Sequence, residues 1–275
     1  MTSEAPRKPR VLAVTSGKGG VGKTNLAVNL ALCLRLFNVN VLLLDADVGM
    51  ASVDVLLGLD IRHSLRDVVL KGQPIEQVVV EGPRGLRILP GACGVEELAR
   101  LDEQQFERFL RQVQGYCEQM DFVVVDTAPG ISPAVIGCLL AADETLLVTN
   151  SEPTSLTDAY GVLKVMSGRP EGRSKLVRVI MNQIGSKEEA IRSFDRLRGA
   201  ARRFLDMDVH YLGSVAWDDT VSEATKRQVA FLTHYSASPC SRDVRKIAAR
   251  LLSAARGGSA DMGRFFRAVG EVGRE

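Results

Sequence analysis

Short runs of apolar, β-branched residues alternate along the chain with longer segments of helical period. Seven runs predict strands: Val11–Thr15, Val41–Leu44, Leu86–Leu89, Phe122–Val125, Thr145–Val148, Leu176–Met181 and Val209–Val215. They are almost wholly apolar and do not alternate, which is how strands buried on both faces of a helix-covered parallel sheet read. The intervening segments predict helices. Leu26 to Leu36 carries a continuous apolar face. Asp102, with Gln105 three residues on, reads as a capping box that opens a helix to about Gln119. Thr154 or Ser155 can cap a helix through about Met166, and Glu188–Leu205 and Arg242–Ala255 read as later ones. Val78–Val80, the turn from Glu81 to Gly85, and Leu86–Leu89 predict a hairpin. The repeated strand–helix order predicts an α/β fold, a doubly wound, mostly parallel sheet flanked by helices. No internal repeat interrupts it. The one compositional break, Arg256-Gly257-Gly258-Ser259-Ala260, is a flexible linker, so the expected division is a tail (1–9), one α/β domain (10–255), and a linker with a C-terminal amphipathic helix (256–275).

Composition narrows this picture. The 275 residues are 45% hydrophobic and 25% charged, an ordinary globular balance that excludes general disorder, collagen and coiled coil. A net charge of +2 gives no global field toward nucleic acid. The five cysteines (Cys33, Cys93, Cys117, Cys138, Cys240) are scattered, which suits reduced thiols, and the three histidines form no metal-binding spacing. No apolar run reaches the ~18 residues of a membrane span, and the basic start of the chain does not read as a signal peptide. A cytoplasmic protein is expected.

The chemistry begins after the first strand. Gly17-Lys18-Gly19-Gly20-Val21-Gly22-Lys23-Thr24 fits G-x-x-x-x-G-K-[ST], between a strand and a helix. Its glycines let backbone N–H groups close around phosphate, and the helix N-terminus adds partial positive charge. Lys23 would reach the β- and γ-phosphates, the Thr24 hydroxyl would bind Mg²⁺, and Asn25 completes the candidate nucleotide-binding set. A second apolar strand ends in Asp45-Ala46-Asp47, at the sheet edge where such folds bind ligands. A third, Phe122–Val125, delivers Asp126 toward the metal, with Gly130 four residues on able to offer its N–H to a γ-phosphate. Asn182 stands at the end of a further strand.

Lys18 is unnecessary in an ordinary phosphate loop. With it, the loop resembles that of the MinD/ParA deviant Walker A ATPases, which reads KGGxGK[ST]. The resemblance implies a P-loop NTPase of MinD-like fold with ATP and Mg²⁺ as cofactors. It implies an ATP-dependent homodimer in which Lys18 reaches the partner's ATP, and it places Lys18, Lys23 and Asp47 in catalysis. Asp47 would position the attacking water, Asp45 would lie near the Mg²⁺ shell with Thr24 and Asp126, and Asn182 would hydrogen-bond adenine. Two further stretches, Asp45 to Leu59 and Glu152 to Tyr160, together with Ser64-Leu65-Arg66-Asp67-Val68, resemble the flagellar-number regulators of the FlhG/FleN (YlxH) group. Departures stand beside them. Ser52 replaces a usual Asn, Ala216-Trp217-Asp218 replaces a usual Pro-Tyr-Asp, and no DQAxxLR-like element is present at the N-terminus.

The resemblance implies slow, regulatory hydrolysis and partners such as an FlhF-type GTPase, a FleQ-type transcriptional activator or flagellar switch proteins. At the C-terminus Met262, Phe265, Phe266, Val269 and Val272 form one helical stripe. The family implies a tail that lies on the inner face of the cell membrane when ATP is bound. The tail's basic and acidic residues cancel, so one copy gains little from anionic lipid, and a helix docked on its own domain or on a partner is the rival reading. Arg192, Arg196, Arg198, Arg202 and Arg203 crowd one helix. A solvated face is preferred there, with ParA-like DNA binding, and hence a segregation ATPase, as the alternative. A nucleotide-gated scaffold with little hydrolysis is a third reading.

Overall fold

Neighbouring residues of the central strands point to opposite faces, and both faces are dry. In β1 (Arg10–Thr15), Val11 and Ala13 enter one core while Leu12 and Val14 enter another, all fully buried. This is the structural form of the unbroken apolar runs. The computed structural model describes residues 8–47, 53–91, 102–254 and 266–267.

Eight strands follow in the order β3-β4-β2-β5-β1-β6-β7-β8. They are β1, β2 (Val41–Ala46), β3 (Val80–Glu81), β4 (Arg87–Leu89), β5 (Phe122–Thr127), β6 (Glu144–Thr149), β7 (Leu176–Ile184) and β8 (Val209–Ala216). All pairings are parallel except β3 with β4, the expected hairpin. Val78 does not join that hairpin. It closes a short helix instead.

The helices are α1 (Lys23–Leu36), α2 (Val53–Leu57), α3 (Leu65–Lys71), α4 (Ile75–Val78), α5 (Glu103–Cys117), α6 (Pro133–Ala141), α7 (Pro153–Ser167), α8 (Pro170–Arg173), α9 (Lys187–Leu205), α10 (Asp219–Lys226), α11 (Phe231–His234) and α12 (Pro239–Ser253). One core takes side chains from α1, α2, α11 and α12, the other from α3 to α7 and α9. The Asp102–Gln105 capping box forms as expected, and α9 opens on a second box, Ser186 with Glu189. Three helices open earlier than their periodicity suggests. Lys23, not Leu26, begins α1 because the phosphate loop winds directly into it. Prolines at the first helical position start α7 and α12.

At the sheet edge remote from the phosphate loop, Arg10 donates to Glu144 (2.7 Å) and to the Leu251 carbonyl (2.6 Å), and Arg178 donates to Glu144 (2.7 Å). This buried cluster ties β1, β6, β7 and α12 together. No helix among the described residues is long and apolar enough to cross a membrane.

The tail differs from its expected placement at one residue. Phe266 does not face lipid. It is 3% exposed and meets Phe109 of α5 edge-on, with ring centroids 5.0 Å apart. Arg267 pairs with Glu107, and its guanidinium lies 5.9 Å from the Phe106 ring centre. The physical reason is the dry partner that α5 offers, an apolar face with an acid at its rim. Met262, Phe265 and Val269 lie outside the described residues.

Candidate functional site

The phosphate loop spans the gap between β1 and α1, and glycine is forced at two points. Gly22 has φ +82, and a Cβ there would sit 2.4 Å from the Asn182 amide nitrogen. A Cβ on Gly17 would sit 2.2 Å from the backbone of Asp158 in α7. The loop is therefore pressed between α7 and the end of β7. Val21 is 1% exposed and anchors it in the core.

Behind the loop lies a buried ion pair. Lys23 Nζ donates to Asp126 Oδ1 at 2.6 Å and to Thr24 Oγ1 at 3.2 Å, with the Lys23 and Asp126 side chains 7% and 0% exposed. Burial raises the Asp126 carboxyl above its ordinary pKa. The Lys23 charge, hydrogen bonds from Lys23 and Thr24 oppose that rise, and the nearby charge of Asp47 adds to it. Asp126 Oδ2 is buried and has no hydrogen-bond partner among the described residues. An orphaned carboxylate oxygen beside a hydroxyl, at the end of a strand and next to a phosphate loop, suits a hard divalent cation, directly or through water. The residues thus fit Mg²⁺.

Asp45 and Asp126 are paired in register across β2 and β5, but Asp45 does different work. Its Oδ1 accepts from the Asp47 N–H (3.0 Å) and its Oδ2 from the Val53 N–H (3.3 Å). These bonds tie Asp45 to the backbone of Asp47, which lines the cavity, and of Val53. The Gly130 N–H donates to the Ser16 carbonyl at 2.8 Å. Its φ of +96 keeps this connection open to glycine alone at low cost.

Lys18 does not extend into solvent. Its Nζ donates to Glu152 Oε2 (2.6 Å) and Thr154 Oγ1 (3.1 Å), at the start of α7. Glu152 belongs to a stretch singled out in the sequence, but its pairing with Lys18 is not readable there. A purely local reading has no means of joining positions so far apart in the chain.

A cavity of about 710 Å³ runs from the loop to the β8–α10 connection. Lys18 to Gly20 and Gly22 to Asn25 line it together with Asn182 and Gln183, and so do Val215, Trp217, Asp218, Val221, Thr225, Lys226 and Phe231. Asn182 donates to the Val21 carbonyl (2.7 Å), and Gln183, with φ +56, donates to the Gly20 carbonyl (3.2 Å). Sequence reading missed Gln183. A bulge in β7 turns both amides onto the loop.

On α9 the basic cluster is partly neutralised. Asp208 accepts two bonds from Arg202 (both 2.9 Å) and one from Arg198 (3.4 Å), and these cations hold its carboxyl down to about 2. That arrangement favours the solvated face.

Comparisons with known proteins agree with this geometry. The ParA family model, described as NUBPL iron-transfer P-loop NTPase, matches residues 8–252. The four described cysteines (Cys33, Cys117, Cys138, Cys240) are buried free thiols, and none lines the cavity. The chain is 39% identical over 242 residues to the antiactivator FleN of Pseudomonas aeruginosa, covering 88% of this chain and 86% of that one. It is 31% identical over 208 residues to the flagellum site-determining protein YlxH of Helicobacter pylori, covering 75% and 69%. The MinC:MinD cell division complex of Aquifex aeolicus has a chain that superposes with a TM-score of 0.71 at 26% identity, covering 90% of this chain and 97% of that one.

Proposed function

The chain belongs to the ParA family of P-loop NTPases, and from that premise we propose that it is a MinD-type ATPase switch that regulates flagellum number and placement. The observation that carries the reading is Lys18, a second loop lysine held by Glu152 beside a complete phosphate cradle. ATP enters with its phosphates on the loop from Gly17 to Thr24 and its base toward Asn182. Lys23 shifts from Asp126 to the β- and γ-phosphates. Thr24 and Asp126 hold Mg²⁺, which spreads positive charge over the phosphate oxygens when bound. Lys18 leaves Glu152 and reaches the triphosphate of a second copy, so that two subunits stand together only while ATP is intact. Asp47, fixed by Asp45, orients the attacking water, and slow hydrolysis returns the chain to the single state.

The outputs are binding states. An FlhF-type GTPase, a FleQ-type transcriptional activator or flagellar switch proteins are the candidate partners. Membrane association at the inner face of the cell membrane requires Phe266 to leave its seat against Phe109, since a ring in the core cannot meet lipid. Deleting residues 261–275 should leave ATP-dependent dimerisation intact and remove ATP-dependent sedimentation with anionic liposomes. Unchanged sedimentation of the truncated chain would refute a lipid role for the tail.

The cellular test is a count of flagella by electron microscopy. Removing the gene, or replacing Asp47 by Ala in the chromosome, should change the number or position of flagella per cell. Normal flagellation accompanied by cells lacking DNA would overturn the flagellar reading in favour of the segregation ATPase.

A further inference from the structure

Gln228 holds a backbone conformation that glycine adopts more readily than glutamine. Its φ is +55, in the turn between α10 and α11. The bonds around it impose that turn. The Gln228 N–H donates to the Thr225 carbonyl (3.1 Å) and the Val229 N–H to the Ala224 carbonyl (3.0 Å), which closes α10. Just beyond, the Leu232 N–H donates to Asn29 Oδ1 (2.9 Å), and the Asn29 amide donates to the Asn25 carbonyl (2.7 Å). Asn25 and Asn29 belong to α1, the helix into which the phosphate loop winds. The turn is thus fixed to the same helix as the loop.

From this anchored turn the Gln228 side chain reaches a different element. Its Nε2 donates to the Val55 carbonyl of α2 at 3.0 Å. A helix as short as α2 leaves carbonyls near its end without intrahelical partners, and this bond serves one of them. The two segments approach closely. Gly58 follows α2 with φ +61, and a Cβ there would lie 3.3 Å from the Gln228 Cβ. At the start of α2 the Val53 N–H donates to Asp45 Oδ2 (3.3 Å), while Asp45 Oδ1 accepts from the Asp47 N–H (3.0 Å). One end of α2 is therefore held by the carboxylate that also holds Asp47. The other is held by an amide anchored on the phosphate-loop helix.

We propose that Gln228 is a positioning residue for hydrolysis: it ties α2 to the phosphate-loop helix and so keeps Asp47 in register with phosphates bound on the loop. The proposal rests on the reading of Asp47 as the residue that orients the attacking water. It explains why a strained residue occupies the turn. Glycine would suit φ +55 better but would lack the amide that reaches Val55. Gln228 is exposed and does not line the cavity, so its contribution falls on the rate and not on nucleotide affinity.

Single-turnover phosphate release from γ-labelled ATP, with the full-length chain in excess and Mg²⁺ present, tests this alongside equilibrium dialysis and thermal melting. Gln228→Gly relaxes the turn and removes the amide. Its thermal midpoint and ATP affinity should stay near wild type while the rate falls about three- to tenfold, the scale of one neutral hydrogen bond. Gln228→Glu keeps the length of the side chain but cannot donate when ionised, and it should lose rate to the same extent. In an Asp47→Ala background, Gln228→Gly should lower the rate no further, because a residue that acts through Asp47 then has nothing left to position. Wild-type rates in both Gln228 variants would overturn the proposal, as would an undiminished second loss in the Asp47→Ala background. A rate loss that merely follows a lowered thermal midpoint and weakened ATP binding would reduce Gln228 to a structural residue and overturn it too. A wild-type rate in Asp47→Ala alone would refute the reading of Asp47, and this proposal with it.

Discussion

Lys23→Ala should lose ATP affinity by roughly a hundredfold or more, the upper range for removing a charge-assisted contact to phosphate. The structure adds a second consequence, in stability. Lys23 is the cation that faces the buried Asp126 carboxylate, at 2.6 Å. Removing one partner of such a pair costs about 3–5 kcal/mol, because the other charge is left uncompensated in a dry site. Asp126 can escape part of this cost by taking up a proton. Its folded-state pKa is already raised by burial and should rise further without Lys23. A carboxyl whose pKa is higher folded than unfolded binds more protons in the folded state, so stability falls as pH rises above the unfolded value. The thermal midpoint of Lys23→Ala should therefore lie close to wild type in acid and drop below it as pH climbs from about 4 toward neutrality. A gap independent of pH would contradict the buried pair, and retained ATP affinity would contradict the loop assignment.

Asp47→Ala should separate binding from turnover. Asp47 lines the cavity together with the loop residues, Lys23 and Thr24. Losing a water-orienting carboxylate should lower kcat by about 10²–10⁴-fold while ATP affinity stays near wild type. The variant should also persist as the ATP-bound dimer, since nothing resets it. Measured phosphate release at the wild-type rate would remove Asp47 from catalysis. Normal release with weakened ATP binding would move it into the cradle. The Asp45→Ala variant is expected to resemble a weaker form of the same defect, because Asp45 holds the Asp47 N–H and not the ligand.

Much of this was legible in the chain, and the reason is local. The phosphate loop declares itself through glycine spacing, and its glycines are required by contacts that a Cβ would break. Parallel strands show as unbroken apolar runs because both faces are buried. Helix caps such as Asp102 and Ser186 carry their own short signals. Pro133–Ala141 went unread as a helix because it is apolar throughout, with no polar face to mark its period, although Ser132 and Pro133 announce its start. Asp218 likewise caps a helix, α10, that periodicity alone did not reveal.

The less legible features depend on distant contacts. Asp45 ends an apolar strand in the sequence, and only the fold shows its two oxygens accepting from the backbone N–H groups of Asp47 and Val53. Phe266 belongs to an amphipathic stripe that suits lipid or protein equally. The apolar face of α5 decides between them. Lys18 and Glu152 meet across 134 residues, Asn182 and Val21 across 161, and no local pattern joins such pairs.

Everything in the switch turns on whether Lys18 completes a neighbour's site. Light scattering on the purified chain, with Mg²⁺ and either ATP or ADP, in an Asp47→Ala background with and without Lys18→Ala, measures this. The account predicts the mass of two chains with ATP, one chain with ADP, and one chain for the Lys18→Ala protein even when dialysis finds ATP bound. Two chains in ADP, or an ATP-bound pair that forms without Lys18, would contradict it.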